Sequence, residues 1–423
     1  MRLPSHILYN TGITLYTAAV RIAALWNVKA RQMVKGWREI WQRESLEGHT
    51  VWFHVSSLGE FEQARPVIDS FKKEYPNYHV WVTFFSPSGY EVRKNTTEAD
   101  RVTYFPMDSK RNAQRLLQLI NPSVAFFVKY DFWFNTLIEL NAQRVPTFIF
   151  SAIFRKNHYF FKPSCGWFLK QLNCFTHIFV QNSESLQLLR RHGIERCTQT
   201  GDTRLDRVRQ IAFTAEGVPE VERFIQSTTN NAKCLIAGSS WEPDEQNIRV
   251  YLDLCSTNLK LILAPHVISE SHITKIEELF GKECCVRYSQ IIKDSGNSFK
   301  LEKHNVLIID NIGLLSRLYR YADVAYIGGG FGRGIHNILE AVTYGKPVVF
   351  GPNHQKFQEA LDIIALGGGF AYDKSRELKT ILDRLLTDST AYNEASIVCQ
   401  KYMETNIGST DAIIQTIKKH IKP

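Results

Sequence analysis

The sequence predicts an α/β protein of two doubly wound, Rossmann-like domains preceded by an amino-terminal helical segment, and three observations predict it. From Gly48 onward, short β-branched or aromatic runs alternate with amphipathic stretches, the pattern of parallel strands joined by crossover helices. At 423 residues the chain is too long for one ordinary core and suits two domains of roughly 150 to 200 residues each. A polar, weakly patterned stretch at 214–231 then interrupts the alternation, which resumes after it.

In the first series the expected strands are 51–55, 79–85, 102–105, 124–128, 147–150 and 177–180, with helices such as 61–75, 110–120 and 185–192 between them. The second series is 234–237, 261–264, 306–309, 324–327 and 347–350. Doubly wound sheets bind ligands beyond the carboxyl ends of their strands, so chemistry is sought in the loops that follow these runs.

The amino terminus reads differently. Residues 7–20 (ILYNTGITLYTAAV) are uncharged and largely apolar, Arg21 interrupts, and IAALW leads into Lys29, Arg31, Lys35 and Arg38. A full span wants about 20 apolar residues, so the run is short, and no small-residue cleavage site follows it. It suits a retained signal-anchor or an interfacial helix, whose trailing basic residues would bind anionic headgroups and keep the next domain cytoplasmic. An amphipathic core helix is the alternative.

Hydrophobic content of 44% with 12% aromatic residues excludes a disordered or fibrous class. A formal charge of +9 favours an anionic partner: nucleic acid, anionic lipid or a phosphorylated substrate. Neither a zinc-finger spacing nor an aromatic strand signature accompanies it, so nucleic acid is not expected. The eight cysteines follow no CxxC pattern and read as buried free thiols of a reducing compartment. Without HExxH or a His/Cys cluster, no metal is expected.

The strand-end loops carry the chemistry. After the first strand come Ser56, Ser57, Leu58, Gly59 and Glu60, then a helix. Glu60 at the sheet edge can accept a proton from an attacking hydroxyl, or it can merely complement the helix dipole; position alone divides these evenly. In the second half, a run from Tyr326 to Gly334 that includes Gly330 and Phe331 follows a strand and precedes a helix expected at 335–344. Its glycines let a phosphate or sugar approach the backbone, with helix N–H groups beyond, although close helix–strand packing would also use them. No frame fits GxGxxG and no P-loop Lys-Ser/Thr follows, which weakens dehydrogenase and NTPase readings. His336, Asn337 and Glu340 fall in the first turns of that helix, where a carboxylate can hold a ribose diol and the other two can meet phosphate or base. His354, Gln355 and Phe357 follow the next strand. Two more loops converge: Gly238, Ser239 and Ser240, and Pro265 with His266.

Taken together these residues resemble the 3-deoxy-D-manno-octulosonic acid (Kdo) transferases of lipopolysaccharide synthesis. The motifs that carry the resemblance are HVSSLGE at 54–60, YFPMD at 104–108, KYDFWFN at 129–135, GDTRLD at 201–206, GSSWEPDE at 238–245, APH at 264–266 and HNILEAVTYGKPVVFGP at 336–352. The resemblance implies a GT-B enzyme whose two domains face a central cleft. It implies a membrane anchor and basic helix over 1–47, an acceptor-binding domain over 48–210 and a CMP-donor-binding domain over 211–423, the last helices packing back on the first domain. It makes Glu60 the catalytic base, with Asp131 and Arg204 organising the transition state. CMP contacts would fall on Ser239, Ser240, His266, Val267, the turn Gly313, Leu314 and Leu315, Gly330, Phe331, His336, Asn337, Ile338, Leu339 and Glu340. The implied reaction is inverting, metal-independent transfer of Kdo from CMP-Kdo to a lipid A precursor at the cytoplasmic face of the inner membrane, with CMP-Kdo as donor substrate and no cofactor. The chain departs from the family pattern at Lys129, where an acid is usual, at Ile335 in place of glycine, and at His266, which follows Ala264 and Pro265 directly where Arg is common. Another GT-B enzyme (a UDP-sugar transferase or nucleotide-sugar epimerase) and an inert membrane-surface binding protein are the competing readings.

Overall fold

The structure is a computed structural model that describes residues 5–162, 165–227, 232–294 and 300–421; the end of the polar stretch, 228–231, lies outside the described residues. The chain forms two units, Met1–Arg207 with Asn406–Pro423, and Val208–Thr405.

The first unit is built on seven parallel strands: β1 (His49–Val55), β2 (Tyr78–Phe84), β3 (Arg101–Tyr104), β4 (Pro122–Val128), β5 (Thr147–Ala152), β6 (His177–Val180) and β7 (Cys197–Gln199), in the order β3-β2-β1-β4-β5-β6-β7. Alternate side chains point to opposite faces of a strand, and both faces here are apolar. Trp52, Trp81 and Phe127 enter one core while Phe53, Phe126 and Phe148 enter the other. Such two-sided burial explains why these strands read as near-continuous apolar runs. The strand order reverses between β1 and β4, so the loops after these two strands flank the crevice where such sheets bind ligands.

The returning carboxyl terminus completes this unit. Ile413, Ile414 and Ile417 of the helix Ser409–Ile417 share a core with Phe71 and Phe148. Asp206 pins the start of that helix by accepting from the backbone N–H groups of Gly408 and Thr410, each at 2.7 Å.

The amino-terminal segment forms two helices, Ser5–Ala23 and Val28–Glu39. Asn27 caps the second through its side chain, 3.1 Å from the Ala30 N–H. The first turns Tyr9, Ile13 and Val20 inward and exposes Leu8 (53%), Leu15 (66%) and Ile22 (57%) on the other side. Among the described residues no helix is long and apolar enough to cross a membrane. The run expected as a signal-anchor or an interfacial helix is a helix with one face on the protein, and Asn10, Thr11, Thr14 and Thr17 dilute its apolar run.

The second unit holds β8 (Lys233–Ser240), β9 (Leu259–Pro265), β10 (Cys285–Arg287), β11 (Val306–Ile308), β12 (Val324–Ile327), β13 (Val348–Phe350) and β14 (Gly369–Ala371), all parallel, in the order β10-β11-β9-β8-β12-β13-β14. Its switch point lies between β8 and β12. The strands β7, β10 and β14, each of three residues, go beyond the sequence expectation. All eight cysteines are free thiols, and Cys197, Cys234, Cys285 and Cys399 are buried.

Candidate functional site

In the first unit the crevice between β1 and β4 gathers two acids. Ser57 stands at the N-cap position of the helix Leu58–Glu74 and its hydroxyl donates to the Glu60 carboxylate, while the Ser56 hydroxyl donates to Asp131 Oδ1. Lys129 takes a left-handed φ of 62°, which turns the chain sharply out of β4 and delivers Tyr130 and Asp131 to the crevice. Such a conformation costs a non-glycine residue about 1–3 kcal/mol and marks a position held by its surroundings.

The two acids differ in environment. Asp131 is buried, at 7% exposure, and its Oδ2 has no hydrogen-bond partner. Burial, and secondly the charge of Glu60, raise its carboxyl well above the ordinary range. His54 stands 3.8 Å from Oδ2, yet this is not an ion pair. Burial holds His54 down to about 3. The Trp133 indole N–H donates to His54 Nε2 at 2.8 Å, which leaves Nδ1 to donate to Thr83 Oγ1, also at 2.8 Å. The imidazole is thus neutral, with its tautomer set by its neighbours.

Arg204 enters through a buried relay. Its Nε donates to Asp202 Oδ2 at 2.8 Å, and Asp202 Oδ1 accepts from Gln63 Nε2 at 2.9 Å. Gln63 lies one turn after Glu60 on the same helix. Burial pushes Asp202 up, but Arg204 and Gln63 outweigh it and hold the carboxylate below its usual range. The sequence motifs contained Asp202 and Trp133 without identifying them as partners, because no local spacing announces a contact across strands, and Gln63 lies outside them.

In the second unit a cavity of about 740 Å³ opens beside the switch point, lined by Trp241, Asp244, His266, Phe331, Arg333 and His336 among others. Three rings form a stack: Trp241 on His266 at 4.6 Å and His266 on His336 at 4.5 Å. The Trp241 N–H also donates to His336 Nε2 at 3.2 Å. Burial, then His266, hold His336 below its usual value, so it accepts this bond as a neutral ring. Asp244 locks the loops together. It accepts from the N–H groups of Trp241 and Gly329 and from the Tyr326 hydroxyl, at 2.8 to 2.9 Å. Gly330 and Gly351 touch backbone to backbone, since a Cβ on Gly330 would meet the Gly351 Cα at 2.6 Å.

Of the expected donor-site residues, His266, Phe331 and His336 line this cavity. Others sit elsewhere. The helix expected at 335–344 starts only at Leu339 and ends at Val342. Before it, Ile335 and His336 are tied by their N–H groups to Asn353 and Gly328, and Asn337 caps it through Leu339 N–H at 3.2 Å. His336 and Glu340 therefore do not share a helical face, and Glu340 accepts from Asn337 Nδ2 at 3.2 Å. A four-residue helix also supplies no dipole for anion binding. Ile338 and Leu339 are core residues, as is Leu314. The buried Ser240 hydroxyl is engaged within the unit, donating to Glu245 at 2.9 Å, and Ser239 occupies a left-handed turn, φ 54°. Leu315 and Tyr319 pack over Gly238, Gly313 turns at φ 98°, and Val267 is 40% exposed. Trp241 and Asp244 were missed as site residues, although both lie in the GSSWEPDE motif.

Comparison with known proteins bears on both units. Residues 31–207 match the family described as 3-Deoxy-D-manno-octulosonic-acid transferase (kdotransferase). The chain is 29% identical over 359 residues to the 3-deoxy-D-manno-octulosonic acid transferase of Chlamydophila psittaci, covering 79% of this chain and 77% of that one. It is 25% identical to that of Aquifex aeolicus, covering 83% and 90%. The fold is similar to UDP-GlcNAc 2-epimerase from Neisseria meningitidis bound to UDP-GlcNAc, with a TM-score of 0.61, 15% identity and coverage of 88% and 100%. It is also similar to Acinetobacter baumannii MurG, with a TM-score of 0.57, 11% identity and the same coverages.

Proposed function

The chain belongs to the Kdo transferase family of glycosyltransferases, and from that premise we propose that it moves Kdo from CMP-Kdo to a lipid A precursor with inversion, without a metal. The observation that carries this reading is the placement of Glu60 beside Asp131 at the switch point of the first sheet, within the matched residues. The Glu60 carboxylate takes the proton from an acceptor hydroxyl as its oxygen attacks the anomeric carbon. The bond from that carbon to the CMP phosphate breaks, and CMP leaves with the electron pair. Asp131, whose carboxyl burial raises well above its ordinary range, faces the reacting groups with the Oδ2 that lacks a partner, and Arg204 acts through Asp202 and Gln63 on the helix that carries Glu60. The ring stack of Trp241, His266 and His336, with Arg333, suits a nucleobase and its phosphate.

The exposed face of the helix Ser5–Ala23, with Lys29, Arg31, Lys35 and Arg38 following, suits an interfacial helix on the anionic cytoplasmic face of the inner membrane. The test is to incubate purified protein with CMP-Kdo and a tetraacyl lipid A precursor and to read CMP release and product mass. Release of CMP with a product heavier by whole Kdo units is expected. No release, together with stabilisation by UDP and not by CMP, overturns the reading in favour of a UDP-sugar enzyme.

A further inference from the structure

We propose that an aromatic cavity next to Asp131 is the subsite for one acyl chain of the acceptor lipid, an inference that rests on the transferase reading above. The cavity has a volume of about 540 Å³, and its walls include Tyr9, Tyr130, Phe132, Phe134, Tyr159 and Phe168. The rings brace one another: Tyr9 to Phe134 at 5.0 Å, Phe134 to Phe168 at 5.1 Å and Tyr159 to Phe168 at 5.0 Å. A wall so supported keeps its shape when empty, and preorganisation lowers the cost of binding.

The lining of the cavity defines its occupant. It includes Asp131, whose buried Oδ2 lacks a partner and whose loop neighbour across the crevice is the Glu60 turn. It also includes Leu8, a member of the exposed stripe that continues through Leu15 and Ile22. A ligand that fills this space has an apolar tail running to the surface helix and a hydroxyl-bearing head at the two acids. Around the head the charge is mixed: the Lys129 ammonium lies 5.7 Å from the Tyr130 ring, and the Tyr130 hydroxyl feels Arg155 on one hand and Glu60 and Asp202 on the other.

A peptide suits the cavity poorly, because its backbone groups need partners. The Tyr9 hydroxyl is already committed, donating to Asp108 at 2.6 Å and accepting from the Phe134 N–H at 3.3 Å. An acyl chain needs no such partners, and each buried methylene is worth about a fourfold gain in affinity.

Two acceptors that share one phosphorylated disaccharide, one carrying its acyl chains and one fully deacylated, separate the subsite from the chemistry. Tyr159→Ala opens the wall and Cys165→Phe fills the cavity. In both variants KM for the acylated acceptor should rise at least about tenfold, while KM for the deacylated one and both kcat values stay within about twofold. Equal shifts for both acceptors, or none, overturn the subsite. A second arm is independent of turnover: dodecyl phosphate with a diazirine at the chain end should cross-link to peptides containing Tyr159 or Phe168. Cross-links confined to the helix Ser5–Ala23 overturn the proposal. If the wild type transfers to neither acceptor, the transferase reading falls, while cross-linking still decides the subsite.

Discussion

The Ser56 hydroxyl donates to Oδ1 of Asp131 and so ties the loop after β1 to the loop after β4. The bond spans the point where the strand order reverses, and it holds the buried Asp131, whose carboxyl burial raises well above the ordinary range, in the same crevice as Glu60.

Asp131 should make stability pH-dependent in a defined direction. Its folded value is raised by burial and then by Glu60, so folding retains a proton that the unfolded chain loses near the ordinary value of 3.8. The contribution is fully present below that value and is lost as pH rises toward the folded value. Asp131→Asn does not titrate. Its melting temperature minus that of the wild type should therefore grow from pH 4 to pH 8; a difference that is flat across this range contradicts the assignment.

Glu60→Gln removes the carboxylate and keeps an oxygen that can accept from the Ser57 hydroxyl. Turnover of CMP-Kdo should fall at least about a hundredfold with the melting curve unchanged. Wild-type turnover in this variant would remove Glu60 from the mechanism.

Tyr9→Phe deletes the hydroxyl that donates to Asp108 Oδ2 at 2.6 Å. The other Asp108 oxygen still accepts from Thr136, whose N–H lies at 2.9 Å. A lost bond to a buried carboxylate costs about 1–3 kcal/mol. Hydrogen exchange should accelerate through the helix Ser5–Ala23 and the segment 130–136, and remain unchanged in the second unit.

Trp241 is 40% exposed, so Trp241→Ala should fold. Without the outer ring of the stack, CMP should bind about tenfold more weakly, within the range for base–aromatic stacking. The melting shift induced by CMP reads this directly, and an undiminished shift would place the base elsewhere.

Much of this was legible in the sequence, for physical reasons. The strands β1, β4, β8 and β12 are buried on both faces, so their apolar runs stand out, and Glu60 follows the first of them in the short turn that doubly wound sheets use for ligands. The helix expected at 335–344 failed because local propensity lost to tertiary bonds: the N–H groups of Ile335 and His336 are taken by Asn353 and Gly328. Asp131 was indicated only by family pattern. Its burial, its tie to Ser56 and its neutral His54 neighbour depend on residues brought together from β1, β2 and the loop after β4. The Trp241–His266–His336 stack was hidden likewise, because three separate strand ends supply its rings.

The grip of Asp206 on the start of the last helix has a consequence for biosynthesis. Residues 208–405 are an insertion within the first unit, whose apolar face at Phe71 and Phe148 waits for Ile413, Ile414 and Ile417. A ribosome delivers those isoleucines only after the whole of residues 208–405. The unit encoded first is therefore the one whose core closes after the second has been made.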